Sequence, residues 1–120
     1  MKDTTLVLGA SENPARYSNL AIKSLLKNGF KVKAVGNRRG NVEGVEINSQ
    51  PIHFEDIDTI TLYLGPKNQE QYYDYILRLN PNRIIFNPGT ENCVLKDLAN
   101  SNGIITEYAC TLVMLSLKQF

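Results

Sequence analysis

The sequence predicts an α/β protein: one doubly wound domain with a five-stranded, mainly parallel sheet and helices on both faces. Three observations predict it. A length of 120 residues suits one domain. Short β-rich runs alternate with longer helical runs along the whole chain. The first strand is a continuous apolar run, as a strand buried on both faces requires. Repeated strand-helix alternation gives a parallel sheet covered on both sides, with right-handed crossovers.

The elements follow in order. Residues 5–9 form the first strand. Residues 15–28 carry Leu20, Ala21, Leu25 and Leu26 as one stripe at helical spacing. Gly29 stands where a helix C′ glycine belongs. Residues 30–35 form the second strand. Residues 37–51 are polar and contain Gly40 and Gly44, which predicts a loop with room for a short strand near 45–47. Residues 59–64 form the third full strand. Pro66 then opens a helix to Leu79, with Tyr72, Tyr75, Ile76 and Leu79 on one face, and Asn80-Pro81 breaks it. Residues 83–86 are the fourth strand, 91–100 a short helix, 104–106 the fifth strand and 110–117 a closing helix. This is a Rossmann-like arrangement, in which ligands bind beyond the carboxyl ends of the strands, at the switch in strand order.

Composition narrows the function classes. A net charge of +1 lacks the basic excess of a nucleic-acid footprint. No apolar run approaches the ~20 residues that span a bilayer, and the start Met1-Lys2-Asp3-Thr4-Thr5 has no signal-peptide core. Two cysteines make no disulfide framework in a chain this long. The expectation is a cytoplasmic protein with reduced thiols, acting on neither nucleic acid nor membrane.

The strand-end loops carry the chemistry. The first reads Gly9-Ala10-Ser11-Glu12-Asn13-Pro14. Dinucleotide enzymes place glycines at the first, third and sixth positions of this turn. Here only Gly9 remains. It allows the tight turn out of the strand, Ser11 offers an amide and a hydroxyl, and Pro14 suits a first helical turn. The helix N-terminus points free amides and partial positive charge at the loop. Arg16 is unfavourable for the helix dipole there, which suggests an anionic partner. The plainer alternative is that Ser11 or Asn13 merely caps the helix and Arg16 is solvated.

The second loop reads Gly36-Asn37-Arg38-Arg39-Gly40. NAD enzymes carry an acid near this point to hold the ribose hydroxyls. Two adjacent arginines instead match phosphate oxygens with their planar forks. That favours an adenosine ribose bearing an extra phosphate, on the 2′ position in NADP and on the 3′ position in coenzyme A. Leu64-Gly65-Pro66 is small and rigid, so a ligand arm could lie against its backbone. Asn87 and the amides near Gly89 could meet amide groups on a ligand, although a turn with Thr90 as helix cap explains the same residues.

Catalytic and metal chemistry find little support. Cys110 needs an activating base to act as a nucleophile, and His53 is the chain's one histidine. Cys110 is therefore expected to be buried and Cys93 structural. No Cys-x-x-Cys motif, histidine pair or carboxylate cluster suggests a metal. No residue combination in the chain suggests a catalytic site.

The run Gly9-Ala10-Ser11-x-x-Pro14-x-Arg16-x-Ser18 resembles the opening signature of the stand-alone CoA-binding domain proteins. Their fold is similar to the CoA-binding domain of the succinyl-CoA synthetase alpha chain. The resemblance covers nearly the whole chain, and its later motifs depart in detail. Asn37 is followed by Arg38 where the family has Asn-Pro. Pro88 replaces the glutamine of the family's Trp-x-Gln-x-Gly, with Phe86 and Gly89 matching. Glu107 and Cys110 stand one residue further apart than the family's Asp-x-Cys.

The resemblance implies one CoA-binding domain over residues 1–120, usually without a demonstrated reaction of its own. Carried over, residues 9–16 would meet a pyrophosphate, 37–39 the ribose phosphate, and 64–66 the adenine side. The readings left open are a non-catalytic module for coenzyme A or acyl-CoA, an NADP-binding oxidoreductase or sensor, and an interaction protein with a degenerate pocket. Open sheet edges and the Tyr72-Tyr73-Tyr75 cluster would permit a homodimer or another protein partner.

Overall fold

The first strand, β1 (Thr4–Leu8), is buried along its whole length. Its side chains alternate between two cores, as the pleat of a strand dictates. Leu6 and Leu8 enter one core and Val7 the other, which is why the run reads as continuously apolar. The computed structural model describes all 120 residues.

α1 (Tyr17–Lys27) follows β1, then β2 (Lys31–Val35), β3 (Gly40–Val42), β4 (Val45–Asn48) and β5 (Ile57–Leu62). α2 (Pro66–Gln69) runs through a 3₁₀ turn (Glu70–Tyr72) into α3 (Tyr73–Leu79). β6 (Arg83–Phe86), α4 (Cys93–Ser101), β7 (Ile105–Tyr108) and α5 (Thr111–Ser116) complete the chain. The strands lie in the order β3-β4-β2-β1-β5-β6-β7. All pairs are parallel except β3 with β4.

The chain moves outward from β1 to β2, then returns to the other side of β1 at β5. The switch point therefore lies at β1, and a crevice opens between the loops that leave β1, β2 and β5. One core packs α3 and α4 on the sheet through Tyr72, Tyr75, Ile76, Leu79, Leu95 and Ala99. The other packs α1 and α5 through Ile22, Leu25 and Leu115. Helices thus cover both faces, as the alternation predicts.

Several expectations change in detail. The sheet has seven strands rather than five, because residues 40–48 form a hairpin in the predicted loop. Val42, Val45 and Ile47 turn its inner side into the core. The third strand ends at Leu62 instead of residue 64. The helix after Pro66 is interrupted by the 3₁₀ turn. α4 is capped by Asn92, whose side chain accepts from the amides of Val94 and Leu95, and not by Thr90. α1 begins at Tyr17, so Pro14 lies in a turn ahead of the helix and Arg16 is the N-cap. Cys110 is half-buried rather than buried, and Cys93, expected to be structural, is exposed.

The tyrosine cluster is packed internally. Tyr72 and Tyr75 are buried, and the Tyr75 hydroxyl donates to the Ile52 carbonyl at 2.6 Å. These two rings therefore offer no surface to a partner.

Candidate functional site

The strand-end loops enclose an open cleft of about 810 Å3 at the switch point. Its first wall is residues 9–16. Gly9 has φ of +99°, and a Cβ there would stand 2.9 Å from the Tyr63 carbonyl carbon. Only glycine meets both demands. The amides of Gly9 and Ala10 both donate to the Val35 carbonyl, at 2.9 and 3.0 Å. The first loop is thereby tied to the end of β2.

Side chains then set the loop's path. The Asn13 amide donates to the Ser11 hydroxyl oxygen, and the Ala15 amide to Asn13 Oδ1, each at 3.0 Å. Such local bonds are what make Ser and Asn turn formers. Asn19, buried in α1, donates from Nδ2 to the Ser11 carbonyl at 3.0 Å. The loop is therefore held before any ligand arrives. Tyr17 and Ser18 open α1, and their amides have no acceptor within the protein. Both residues line the cleft.

The missing glycines have a structural reason. The third glycine of the dinucleotide pattern serves close helix-strand packing. Here that position is Pro14, in a turn before the helix, where no such packing occurs. The second glycine allows close backbone approach to a pyrophosphate. Its counterpart Ser11 folds its side chain back along the loop, and its O–H remains available as a donor.

The second wall carries Asn37, Arg38 and Arg39. All three are exposed. Arg16, Arg38 and Arg39 line one cleft, and none forms an ion pair within the protein. This juxtaposition gives the cleft its positive character. The third wall is Leu64 and Gly65 with Asn68 of α2, and the fourth is Pro88, Gly89 and Thr90.

Of the residues singled out in the sequence, Gly9, Ala10, Ser11, Arg16, Ser18, Asn37, Arg38, Arg39, Leu64, Gly65 and Gly89 line this cleft. Pro14, Pro66 and Asn87 do not. Pro66 begins α2 at a position that suits proline. Asn87 is buried, and protein groups take up its amide. Its Nδ2 donates to Thr61 Oγ1 at 2.7 Å and to the Leu62 carbonyl at 2.8 Å, while its Oδ1 accepts from the Thr111 amide at 2.8 Å. It joins β5 and β6 to α5 and is not free to meet a ligand.

Glu12 and Asn13 of the first loop also line the cleft, as do Tyr17 and Tyr63, which nothing in the local sequence marks. Tyr63 lines the cleft, while its side chain packs against the core and its hydroxyl is buried without a hydrogen-bond partner. Burial pushes that hydroxyl's pKa up to about 12, although the Thr61 and Thr111 hydroxyls pull the other way. Tyr63 is therefore neutral at physiological pH. His53 and Cys110 lie outside the cleft.

Gln69, also unremarked in the sequence, is fully buried and holds two walls together. Its Nε2 donates to the carbonyls of Leu64 and Thr90, both at 2.8 Å. Its Oε1 accepts from Asn92 Nδ2 at 2.9 Å. Gln69→Met keeps the volume but strands these buried polar groups. An unsatisfied buried group costs about 1–3 kcal/mol, so we expect a loss of about 2–3 kcal/mol. An unchanged urea midpoint would show that the two walls stand without it.

Comparison with known proteins places this geometry in context. The family model described as CoA binding domain matches residues 3–116. The crystal structure of an uncharacterized protein is 44% identical, covers 100% of this chain and 99% of its own, and superposes with a TM-score of 0.96. A conserved hypothetical protein from Pyrococcus furiosus is 26% identical over 90% of this chain and 92% of its own, with a TM-score of 0.76. A dinucleotide forming acetyl-coenzyme A synthetase from Ca. Korarchaeum cryptofilum, in complex with phosphate and ADP, is 15% identical. It covers 89% of this chain and 25% of its own, with a TM-score of 0.74, and shares the fold. No curated protein matches the chain.

Proposed function

The chain belongs to the CoA binding domain family, and from that premise we propose that it is a one-domain module that binds coenzyme A or acyl-CoA in the cleft at β1 without transforming it. One observation carries the reading: two anion-receptive walls face the same cleft. The first presents the unpaired amides of Tyr17 and Ser18 with Arg16 beside them. The second presents Arg38 and Arg39, with no ion pair inside the protein. A ligand with a pyrophosphate and a separate ribose phosphate uses both. The first wall takes the pyrophosphate, because helix amides and dipole favour negative charge. The arginines take the ribose phosphate, because their forks bind phosphate oxygens in pairs. Leu64 and Gly65 border the adenine side.

NADP also carries an extra ribose phosphate. The first loop speaks against it, since Pro14 and the late start of α1 replace the close helix-strand contact of the dinucleotide pattern. Thermal unfolding with excess coenzyme A, dephospho-CoA, NADPH or NADH tests the choice. Ligand at about 100 times its dissociation constant adds about 2.7 kcal/mol, a rise of several degrees in Tm. We expect the largest rise with coenzyme A. A rise with NADPH and none with coenzyme A would replace the module with a dinucleotide protein. No rise with any of the four would favour an interaction protein with a degenerate pocket.

A further inference from the structure

We propose that Glu12 is a positioning residue that clasps the arginine-bearing turn to the first loop and so sets how strongly the cleft distinguishes ligands by their ribose phosphate. The proposal rests on the coenzyme A reading above.

Glu12 is the one acidic side chain lining a cleft that three arginines also line. A carboxylate there opposes the binding of any anion, so its presence needs a reason. The geometry supplies one. Glu12 Oε2 accepts from the Asn41 amide at 2.8 Å, across 29 residues of sequence. The Glu12 side chain packs against Gly40, where a Cβ would stand 2.4 Å from both Glu12 Cγ and Cδ. Glycine at that position leaves room for the clasp. Arg38 and Arg39 immediately precede this anchored pair of residues, in an exposed bend with no ion pair to hold it.

At their bases the two walls are joined by the Gly9 and Ala10 amides on Val35. Nearer the arginines, the Glu12 contact ties them again. A turn fixed at both points loses less freedom when it meets a phosphate, and reduced ordering on binding is gained affinity. Glu12 therefore acts on the ligand through Arg38 and Arg39, without touching it.

Two effects of the carboxylate can be separated. As a charge it weakens every anionic ligand, coenzyme A more than dephospho-CoA, because the extra phosphate sits at the wall that Glu12 borders. As an acceptor for Asn41 it strengthens only ligands that use the arginines. Glu12→Gln removes the charge and keeps an acceptor oxygen. Glu12→Ala removes both. Gly40→Ala pushes the flexible Glu12 side chain off its seat.

The measurement is the affinity ratio of coenzyme A to dephospho-CoA, by calorimetry. Glu12→Gln should bind both ligands more tightly, coenzyme A at least as much as dephospho-CoA, so that the ratio does not fall below that of the wild type. Glu12→Ala and Gly40→Ala should each lower the ratio by about tenfold, the low end for one charge-assisted hydrogen bond. A wild-type ratio in Glu12→Ala, or an equal collapse in Glu12→Gln, would overturn the proposal. A role in stability alone would lower Tm and leave the ratio untouched.

Amide exchange in the ligand-free protein gives a second readout. The Asn41 N–H should exchange faster in Glu12→Ala than in the wild type, and Glu12→Gln should restore its protection. Equal protection in all three would also overturn the clasp. Wild-type protein that fails to bind coenzyme A would defeat the module reading by itself, and the clasp is then judged by Asn41 exchange.

Discussion

Replacing Gly36 by alanine is expected to be the most damaging small substitution in this protein. Gly36 follows β2, where the second wall of the cleft begins. A Cβ there would stand 2.2 Å from the Ala10 carbonyl oxygen and 3.1 Å from its carbon. Both atoms are backbone, so no rotamer change relieves the clash. Ile47 Cγ2 at 3.3 Å closes the other direction. The Gly36 amide donates to the Asn48 carbonyl at 3.0 Å, which holds the residue in register with β4. To admit the methyl, residues 9–10 must move from β2 and give up their bonds to Val35, or β4 must shift.

Overpacking a well-packed site costs about 1–3 kcal/mol. Lost loop hydrogen bonds of about 1 kcal/mol each add to that. We expect about 3 kcal/mol or more, which for a domain of this size lowers Tm by about 10 °C or more. Ala10 lines the cleft, so ligand-induced stabilisation should also be lost. A Tm within about 2 °C of wild type would mean that the two walls are not locked together at this contact.

The same contact shows what could and could not be read along the chain. β1 is legible because it feeds two cores, so Leu6, Val7 and Leu8 are all apolar. α1 is legible from its stripe only in part: Ala21 and Leu25 are fully buried and Leu26 packs against the core, but Leu20 is exposed and Ile22 takes the inward place. The short strand near 45–47 is legible and is β4, but its partner β3 and the hairpin they form are not, because Val42 stands alone among polar and glycine residues. Two very short strands leave little period to detect.

The sequence pattern places the start of α1 too early for another reason. Pro14 fits a first helical turn by its own preferences, but the side chains of Ser11 and Asn13 fold the loop locally and delay the helix to Tyr17. Asn87 resembles a loop asparagine in Asn-Pro-Gly, yet its partners are Thr61, Leu62 and Thr111. Glu12 and Gln69 are silent in the sequence, because what they do depends on groups 29 and 21 residues away. Local patterns report on local structure. Long-range polar contacts leave no period.

The largest expected effect on binding is that of Arg38→Ala combined with Arg39→Ala. Both residues are exposed and neither forms an ion pair, so the double change should leave Tm nearly unaltered. Surface substitutions away from specific contacts usually stay within about 0.5 kcal/mol. Binding should respond quite differently. Hydrogen bonds to charged groups are worth about 1.5–3 kcal/mol, so removing two arginine forks from one phosphate should weaken coenzyme A by about 100-fold. Dephospho-CoA lacks that phosphate and should lose only the general attraction of two positive charges, a few-fold at physiological salt, where exposed charges are screened beyond about 8 Å.

The informative quantity is again the ratio between the two ligands, because any accidental damage to the first wall would weaken both. A coenzyme A to dephospho-CoA ratio near one in the variant, with an intact first-wall affinity, would assign the ribose phosphate to the second wall. An equal loss for both ligands would instead mean that the arginines attract anions without reading the ribose phosphate. In that event the cleft would discriminate through the first wall alone, where Arg16 and the amides of Tyr17 and Ser18 lie together.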